Sequence, residues 1–281
     1  MLRAAVIQMC SGADPEANLA VAGTLLEAAA EAGACLAVLP ENFSFLGRGE
    51  TERIAFAEQA GRGPVQDFLA AASRDLGLWI VGGTLPVLQP GDSKPRAASI
   101  LYDTRGRAVA RYDKLHLFDV SLPGADEGYR ESAGTAPGLG TVVTDSPVGR
   151  LGLAVCYDVR FPELFRIMTD AGVEVISLPA AFTVPTGGAH WELLVRARAV
   201  DNLAFVLAAA QWGEHESGRR TWGDSMIVDH WGQVLARRPG GVGIVVADLD
   251  REAQRDARRR FPALAHRLSP DTLRMRTENE E

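Results

Sequence analysis

The sequence predicts an α/β protein in which two mixed β-sheets stack face to face and carry helices on their outer surfaces. Three observations support this. Strand-like and helix-like segments alternate through the first third of the chain, the order that packs helices outside a sheet. Two stretches, "ASILYDTRGRAVARYDK" and "SMIVDHWGQVLAR", alternate about Gly-containing turns and read as hairpins, so antiparallel pairs join the parallel ones. About a dozen strand-like segments accompany only roughly four or five long helices, which fits two sheets better than one doubly wound sheet.

The elements follow in order. "RAAVIQM" is a strand, and "ADPEANLAVAGTLLEAAAEAGA" a helix with Asp14 as N-cap, Pro15 at its first position and Gly33 as its stop. "CLAVLP" is a short buried strand. Helices are expected around Glu50–Glu58 and Val65–Leu76, then the strand "LWIVGGTL" and the hairpin from Ala98 to Lys114. Beyond it come strand Leu151–Val155, helix Pro162–Ala171, strand Val173–Leu178, helix His190–Asn202, strand Ala204–Ala210, the second hairpin and "GIVVADL".

With 281 residues, 47% hydrophobic and 23% charged, the chain is long enough to bury a large core. No linker or repeat divides it, so one domain over residues 1–270 is expected, with a polar tail over 271–281. "MLRAAVIQMC" is too short for a secretory signal and no uninterrupted apolar run is long enough to span a bilayer, so a cytoplasmic protein without membrane association is expected. Cys10, Cys35 and Cys156 are widely spaced and form no CxxC pair, which supports neither a disulfide framework nor a metal site. A net charge of −7 argues against a nucleic-acid surface. The basic run from Arg251 to Arg267 is interleaved with Glu252 and Asp256 and reads as a solvated helix face.

Three strand ends carry reactive groups: "CLAVLPEN" ends on Glu41, "AVARYDKLH" near Lys114, and "LGLAVCYD" on Cys156. A cysteine nucleophile needs a base for its proton, positive charge for an oxyanion and an acid for the leaving group. Glu41 can serve as base and then acid if burial raises its pKa, and the Lys114 ammonium favours a thiolate. Lys114 and the Tyr157 backbone N–H would hold the oxyanion. A Cys–His pair using His116, His190, His215, His230 or His266 is the other arrangement open to the sequence, since such partners meet only in space. Cys10 and Cys35 lie in apolar strand sequence and read as core residues.

Glu41 in "LPENF", Lys114 in "YDKLHLFD" and Cys156 in "CYDVRFPE" resemble the triad of the nitrilase, or carbon–nitrogen hydrolase, superfamily. Further similarity lies in "AHWELLVRARAVDN" and "GDSMIVDHWGQVLA", so it covers nearly the whole chain. The resemblance implies a four-layer α-β-β-α sandwich, a cysteine thioester, no cofactor, and a homodimer or larger assembly joined through helices. It also implies a second glutamate after the lysine. "GYRES" supplies Glu131, with Asp126 and Glu127 nearby, to orient Lys114 and the substrate amide.

"CYDVRFPE" is similar to the Nit-type amidases. That similarity implies hydrolysis of a small carboxylate-bearing amide with release of ammonia or an amine, and the stretch "LAAAQWGEHESGRRTWGDSMIVDHWG" resembles the deaminated glutathione branch, which implies a deaminated-glutathione-like substrate. The alternative within the branch is ω-amidase action on 2-oxoglutaramate or 2-oxosuccinamate. Arg160, just past Cys156, and Thr186, in the Gly-rich loop "AAFTVPTGGAHW", are the candidate carboxylate ligands, because a guanidinium fork matches a carboxylate bidentately. A structural bridge from Arg160 to Asp158 or Glu163 is the competing reading. From other classes, a catalytically silent interaction protein on the same fold and a binding module built on the basic helix remain.

Overall fold

The computed structural model describes residues 2–121, 128–268 and 272. Asp126, Glu127 and the tail apart from Thr272 lie outside the described residues. The first half of the chain runs β1 (Leu2–Gln8), α1 (Pro15–Glu31), β2 (Leu36–Val38), β3 (Glu58–Gln59), α2 (Pro64–Asp75), β4 (Trp79–Val81), β5 (Leu85–Leu88), β6 (Arg96–Tyr102) and β7 (Ala108–Asp113). A small antiparallel pair, β8 (Asp119–Ser121) and β9 (Gly128–Arg130), leads to β10 (Val142–Ser146), β11 (Gly149–Leu153), α3 (Pro162–Asp170), β12 (Val175–Ala180), α4 (Val184–Asn202) and β13 (Phe205–Ala210). The chain closes with β14 (Trp212–Glu214), β15 (Arg220–Trp222), β16 (Ser225–Val228), β17 (Val234–Arg238), β18 (Gly243–Leu249) and α5 (Arg251–Arg260).

The larger sheet has the order β18-β1-β2-β4-β6-β5-β3, with β7 also paired to β6, and the smaller has the order β10-β11-β12-β13-β16-β17. Both are mixed. β1, β2 and β4 run parallel, as do β11, β12 and β13, while the hairpin strands add antiparallel pairs. β18 returns from the second half to pair with β1 along its full length, joining the ends of the chain through one sheet.

Burial explains the uninterrupted apolar run of β1. Ala4 and Val6 belong to the core shared with Leu153, Val175 and Leu207 of the other sheet, and Ala5 and Ile7 to the core under Ala22, Leu26 and Leu69 of α1 and α2. Both faces of the strand are covered, so no polar alternation survives. On the far side, Phe165 and Met168 of α3 and Trp191 and Val195 of α4 pack into the shared core. Each such large side chain contributes about 1.5–3 kcal/mol on burial. The layers are therefore α-β-β-α, as expected, and among the described residues no helix is long and apolar enough to cross a membrane.

Asp14 caps α1 by accepting from the N–H groups of Glu16 and Ala17, and Gly33 leaves the helix at φ +79°. Two helix expectations change. The Glu50–Glu58 segment forms only a 3₁₀ turn, Glu52–Ile54, before β3. Ile54 and Phe56 remain 37% and 44% exposed, so the segment buries too little apolar surface to hold a longer helix. The helix expected from His190 begins instead at Val184, placing Thr186 in its first turn and not in a loop. Gly187 explains the misreading: a Cβ there would lie 2.2 Å from Cβ of Trp222, so the glycine provides packing room inside a helix.

"LWIVGGTL" is also two strands, broken at Gly82 and Gly83. Gly83 has φ +46°, and a Cβ on it would come within 2.1 Å of the Pro40 carbonyl oxygen. Cys10 is exposed and Cys35 half-buried, so neither is the core residue expected. The basic helix α5 is not solvated all round. Arg251 pairs with Glu174, and Arg258 donates to the carbonyls of Val173, Leu203 and Asn202, while Arg259 and Arg260 face water.

Candidate active site

Glu41 follows the end of β2 and is held by its main chain. Gln211 Nε2 donates to the Glu41 carbonyl at 3.0 Å, and the next N–H, of Asn42, donates to Thr84 Oγ1 at 2.8 Å. The close passage of Gly83 under Pro40 packs the same turn against the neighbouring strand. Lys114 comes directly after β7, fixed by its N–H to Ala97 O at 3.0 Å and its carbonyl to Gly138 N at 2.8 Å. Glu131 opens a 3₁₀ turn after β9, and Phe118 N–H donates to its Oε2 at 2.8 Å.

Cys156 lies just beyond β11 and opens the 3₁₀ turn Cys156–Arg160 with φ +47°. That conformation costs a non-glycine residue on the order of 1–3 kcal/mol, and it puts the side chain at a sharp strand-to-turn bend. The turn has a fixed anchor in Asp158, which is fully buried. Its carboxylate accepts from Val155 N–H at 2.9 Å, Tyr112 Oη at 2.7 Å and His116 N–H at 3.2 Å, and contacts His116 Nδ1 at 2.7 Å. Tyr112 and His116 flank Lys114 in sequence, so Asp158 ties the cysteine turn to the lysine strand end.

Lys114 Nζ lies 2.7 Å from Glu41 Oε1 and 2.8 Å from Glu131 Oε2, and all three side chains are buried. Burial works to lower the Lys114 pKa, but Glu131 and Glu41 outweigh it and raise it. Burial likewise works to raise that of Glu131, but Lys114, Arg53 and the Phe118 N–H hold it below the ordinary carboxylate range. The Cys156 thiol is pushed well up, first by burial and then by the charge of Glu41, against the opposing effects of Lys114 and the Ala181 N–H. The resting cysteine is therefore a thiol. Lys114 favours the thiolate, in the direction expected, but desolvation of a buried anion exceeds the help of one ammonium already shared by two carboxylates.

These four residues line one pocket, with Tyr157, Phe118 and Phe182 in its walls and Arg53, Arg160, Arg219 and Thr186 around them. Arg160 and Thr186 do reach the same pocket. The Arg160 guanidinium packs 5.3 Å from the Phe182 ring and 3.3 Å from His190 Nδ1. Among the described residues no carboxylate lies within ion-pair distance of Arg160, and Asp158 is engaged elsewhere. Thr186 Oγ1 pairs with Thr183 Oγ1 at 2.8 Å. No histidine lines the pocket. His116 belongs to Asp158, and His215 lies between Ser11 O and Thr221 Oγ1.

Three residues in or beside the site escaped the sequence reading. Arg53 bridges Glu50 at 2.6 Å and Glu131 at 3.7 Å, from the segment misread as a helix. Arg219 comes from the turn between β14 and β15, two strands too short to register as a pattern. Asp158 was visible two residues past Cys156, but only its burial reveals its function as an anchor.

A buried thiol beside a carboxylate, with an ammonium between two carboxylates and a first-turn N–H next to the sulfur, is equipped for acyl transfer. Comparison with known proteins agrees. The carbon-nitrogen hydrolase family model matches residues 3–259. The deaminated glutathione amidase of Yersinia enterocolitica is 40% identical over 263 residues, covering 93% of this chain and 91% of that one. The Caenorhabditis elegans NitFhit protein superposes with a TM-score of 0.88 at 38% identity, over 95% of this chain and 65% of that one. A glutamate-to-glutamine variant of the amidase from Nesterenkonia sp. AN1 shows the result of Michael addition of acrylamide at its active site cysteine; its TM-score is 0.75 at 28% identity, over 93% of this chain and 98% of that one. The chain belongs to the carbon-nitrogen hydrolase family and is a hydrolase of non-peptide carbon–nitrogen bonds.

Proposed function

We propose that Cys156 is the nucleophile of an amidase in which Glu41 moves the protons, Lys114 and the Tyr157 N–H hold the oxyanion, and Glu131 orients Lys114. The observation that carries this reading is Lys114 Nζ within 2.8 Å of both Glu41 and Glu131 in the pocket that holds Cys156. Glu41 takes the thiol proton as sulfur attacks the amide carbonyl, which is why a neutral resting thiol suits the site. The tetrahedral oxyanion forms against Lys114 and Tyr157 N–H. As it collapses, Glu41 gives its proton to nitrogen, the C–N bond breaks and the amine leaves a Cys156 thioester. Water, deprotonated by Glu41, adds to the thioester. The C–S bond then breaks and the proton returns to sulfur, so the net change is amide plus water to acid plus amine.

The substrate is a small amide bearing a carboxylate distant from the scissile bond, deaminated-glutathione-like. The name of the Yersinia relative supports this over ω-amidase action, and Arg160, without an ion-pair partner among the described residues, suits the acyl-half carboxylate that both substrate types carry. Thr186, beside Arg160 in the pocket lining, supplies a second contact. We read residues 1–270 as a single hydrolase domain, in a cytoplasmic homodimer or larger assembly. The test is release of amine and ammonia across deaminated glutathione, ω-amides, aliphatic amides, N-carbamoyl amino acids and nitriles. Deaminated glutathione should give the highest kcat/KM, and an equal or higher value for 2-oxoglutaramate would replace the assignment. Arg160→Lys should lower kcat/KM for carboxylate-bearing amides by about 2–3 kcal/mol and change neutral amides little.

A further inference from the structure

We propose that Arg219 forms a second carboxylate subsite, on the leaving-group side of the scissile bond, so that the preferred substrate carries a carboxylate on its amine half as well as on its acyl half. This rests on the amidase reading of Cys156. The catalytic pocket opens into an outer cleft, and Asn42, Glu50, Arg53 and Arg219 line both. Asn42 follows Glu41, the group that protonates the departing nitrogen, so the amine half of a substrate points from Glu41 past Asn42 into the outer cleft. Arg160 and Thr186 line the inner pocket but not the outer cleft, leaving them for the acyl half.

The charges around this junction are unequal in a telling way. Arg53 is neutralised by Glu50 at 2.6 Å and lies 3.7 Å from Glu131. For Arg219, no carboxylate among the described residues lies within ion-pair distance. One of its terminal nitrogens donates to Ala181 O at 2.9 Å, and its guanidinium packs 5.0 Å from the centre of the Tyr129 ring. Its Nε is buried and has no hydrogen-bond partner among the described residues. A half-buried guanidinium fixed by one carbonyl and one ring, with a donor left over, is pre-set for a bidentate anion. Ala181 is the same residue whose N–H donates to the Cys156 sulfur, so this cation sits within reach of the reacting centre. A leaving group of amino-acid or peptide type, with a free carboxylate, satisfies it; ammonia does not.

The experiment compares kcat/KM for deaminated glutathione, whose amine half ends in a glycine carboxylate, with that for its C-terminal carboxamide. Wild-type enzyme should prefer the free acid by roughly tenfold to a hundredfold, and in Arg219→Gln that preference should fall to about twofold or less. A wild-type ratio near one overturns the subsite without need of any variant, as does an undiminished preference in Arg219→Gln. Turnover confined to primary amides that release ammonia would overturn the subsite and leave the cysteine amidase standing. Failure to hydrolyse any amide would overturn the amidase reading with it.

Discussion

The Tyr112 hydroxyl donates to the Asp158 carboxylate at 2.7 Å, linking a residue just before Lys114 to one just after Cys156. Lys114 and Cys156 come from different sheets, and their relative position depends on this buried contact across the interface between the sheets. Burial and the neighbouring Asp158 together push the Tyr112 pKa far above the ordinary phenol value, so it remains a donor throughout the working range.

Asp158→Asn leaves one carbonyl oxygen and an amide in place of two accepting oxygens, against donors from Tyr112, Val155 and His116. The expected cost is about 2–4 kcal/mol in unfolding free energy, with kcat reduced more than KM because the cysteine turn is misplaced relative to Lys114. Tyr112→Phe should cost less, about 1–2 kcal/mol. Denaturant unfolding with steady-state kinetics tests both. Wild-type stability and kcat in Asp158→Asn would remove the anchor from this account.

Much of this frame was legible in sequence, and the exceptions share a cause. The strand-end positions of Glu41, Lys114 and Cys156 follow from apolar runs that stop abruptly, a local pattern. The start of α4 was hidden because Gly187 reads as a loop residue until Trp222, distant in sequence, is seen packed on it. Arg53 and Arg219 were hidden for the same reason. Each sits in a short irregular segment whose fixed position comes from contacts with other parts of the chain, to Glu131 for one and to Ala181 and Tyr129 for the other.

Glu41 raises the Cys156 pKa through its charge and through a hydrogen bond. Glu41→Gln removes the charge and leaves Lys114 in place, so the thiol should ionise at a lower pH than in the wild type. Iodoacetamide alkylation of Cys156 followed against pH should show its midpoint shifted downward, while amide turnover is lost for want of a base. An upward shift, or amide turnover at the wild-type rate, would place the base elsewhere.

The Glu131 pKa is lower folded than free. A group with that sign contributes stability above its unfolded pKa, about 4.3 for glutamate, and loses it as pH falls through the folded value. The melting-temperature advantage of wild type over Glu131→Gln should therefore be constant at neutral pH and shrink below about pH 4. An advantage undiminished at pH 3 would mean that the Lys114 pair does not set it.

The most direct test of the central claim is to trap the acyl-enzyme by rapid acid quench during turnover of deaminated glutathione and map it by mass spectrometry. The account predicts an added mass equal to the acyl half of the substrate on the peptide containing Cys156. It also predicts no such adduct in Cys156→Ala and a rate at least about a thousandfold lower for that variant. A Cys156→Ala enzyme retaining a tenth of wild-type turnover, or an acyl group carried on any other residue, would contradict it.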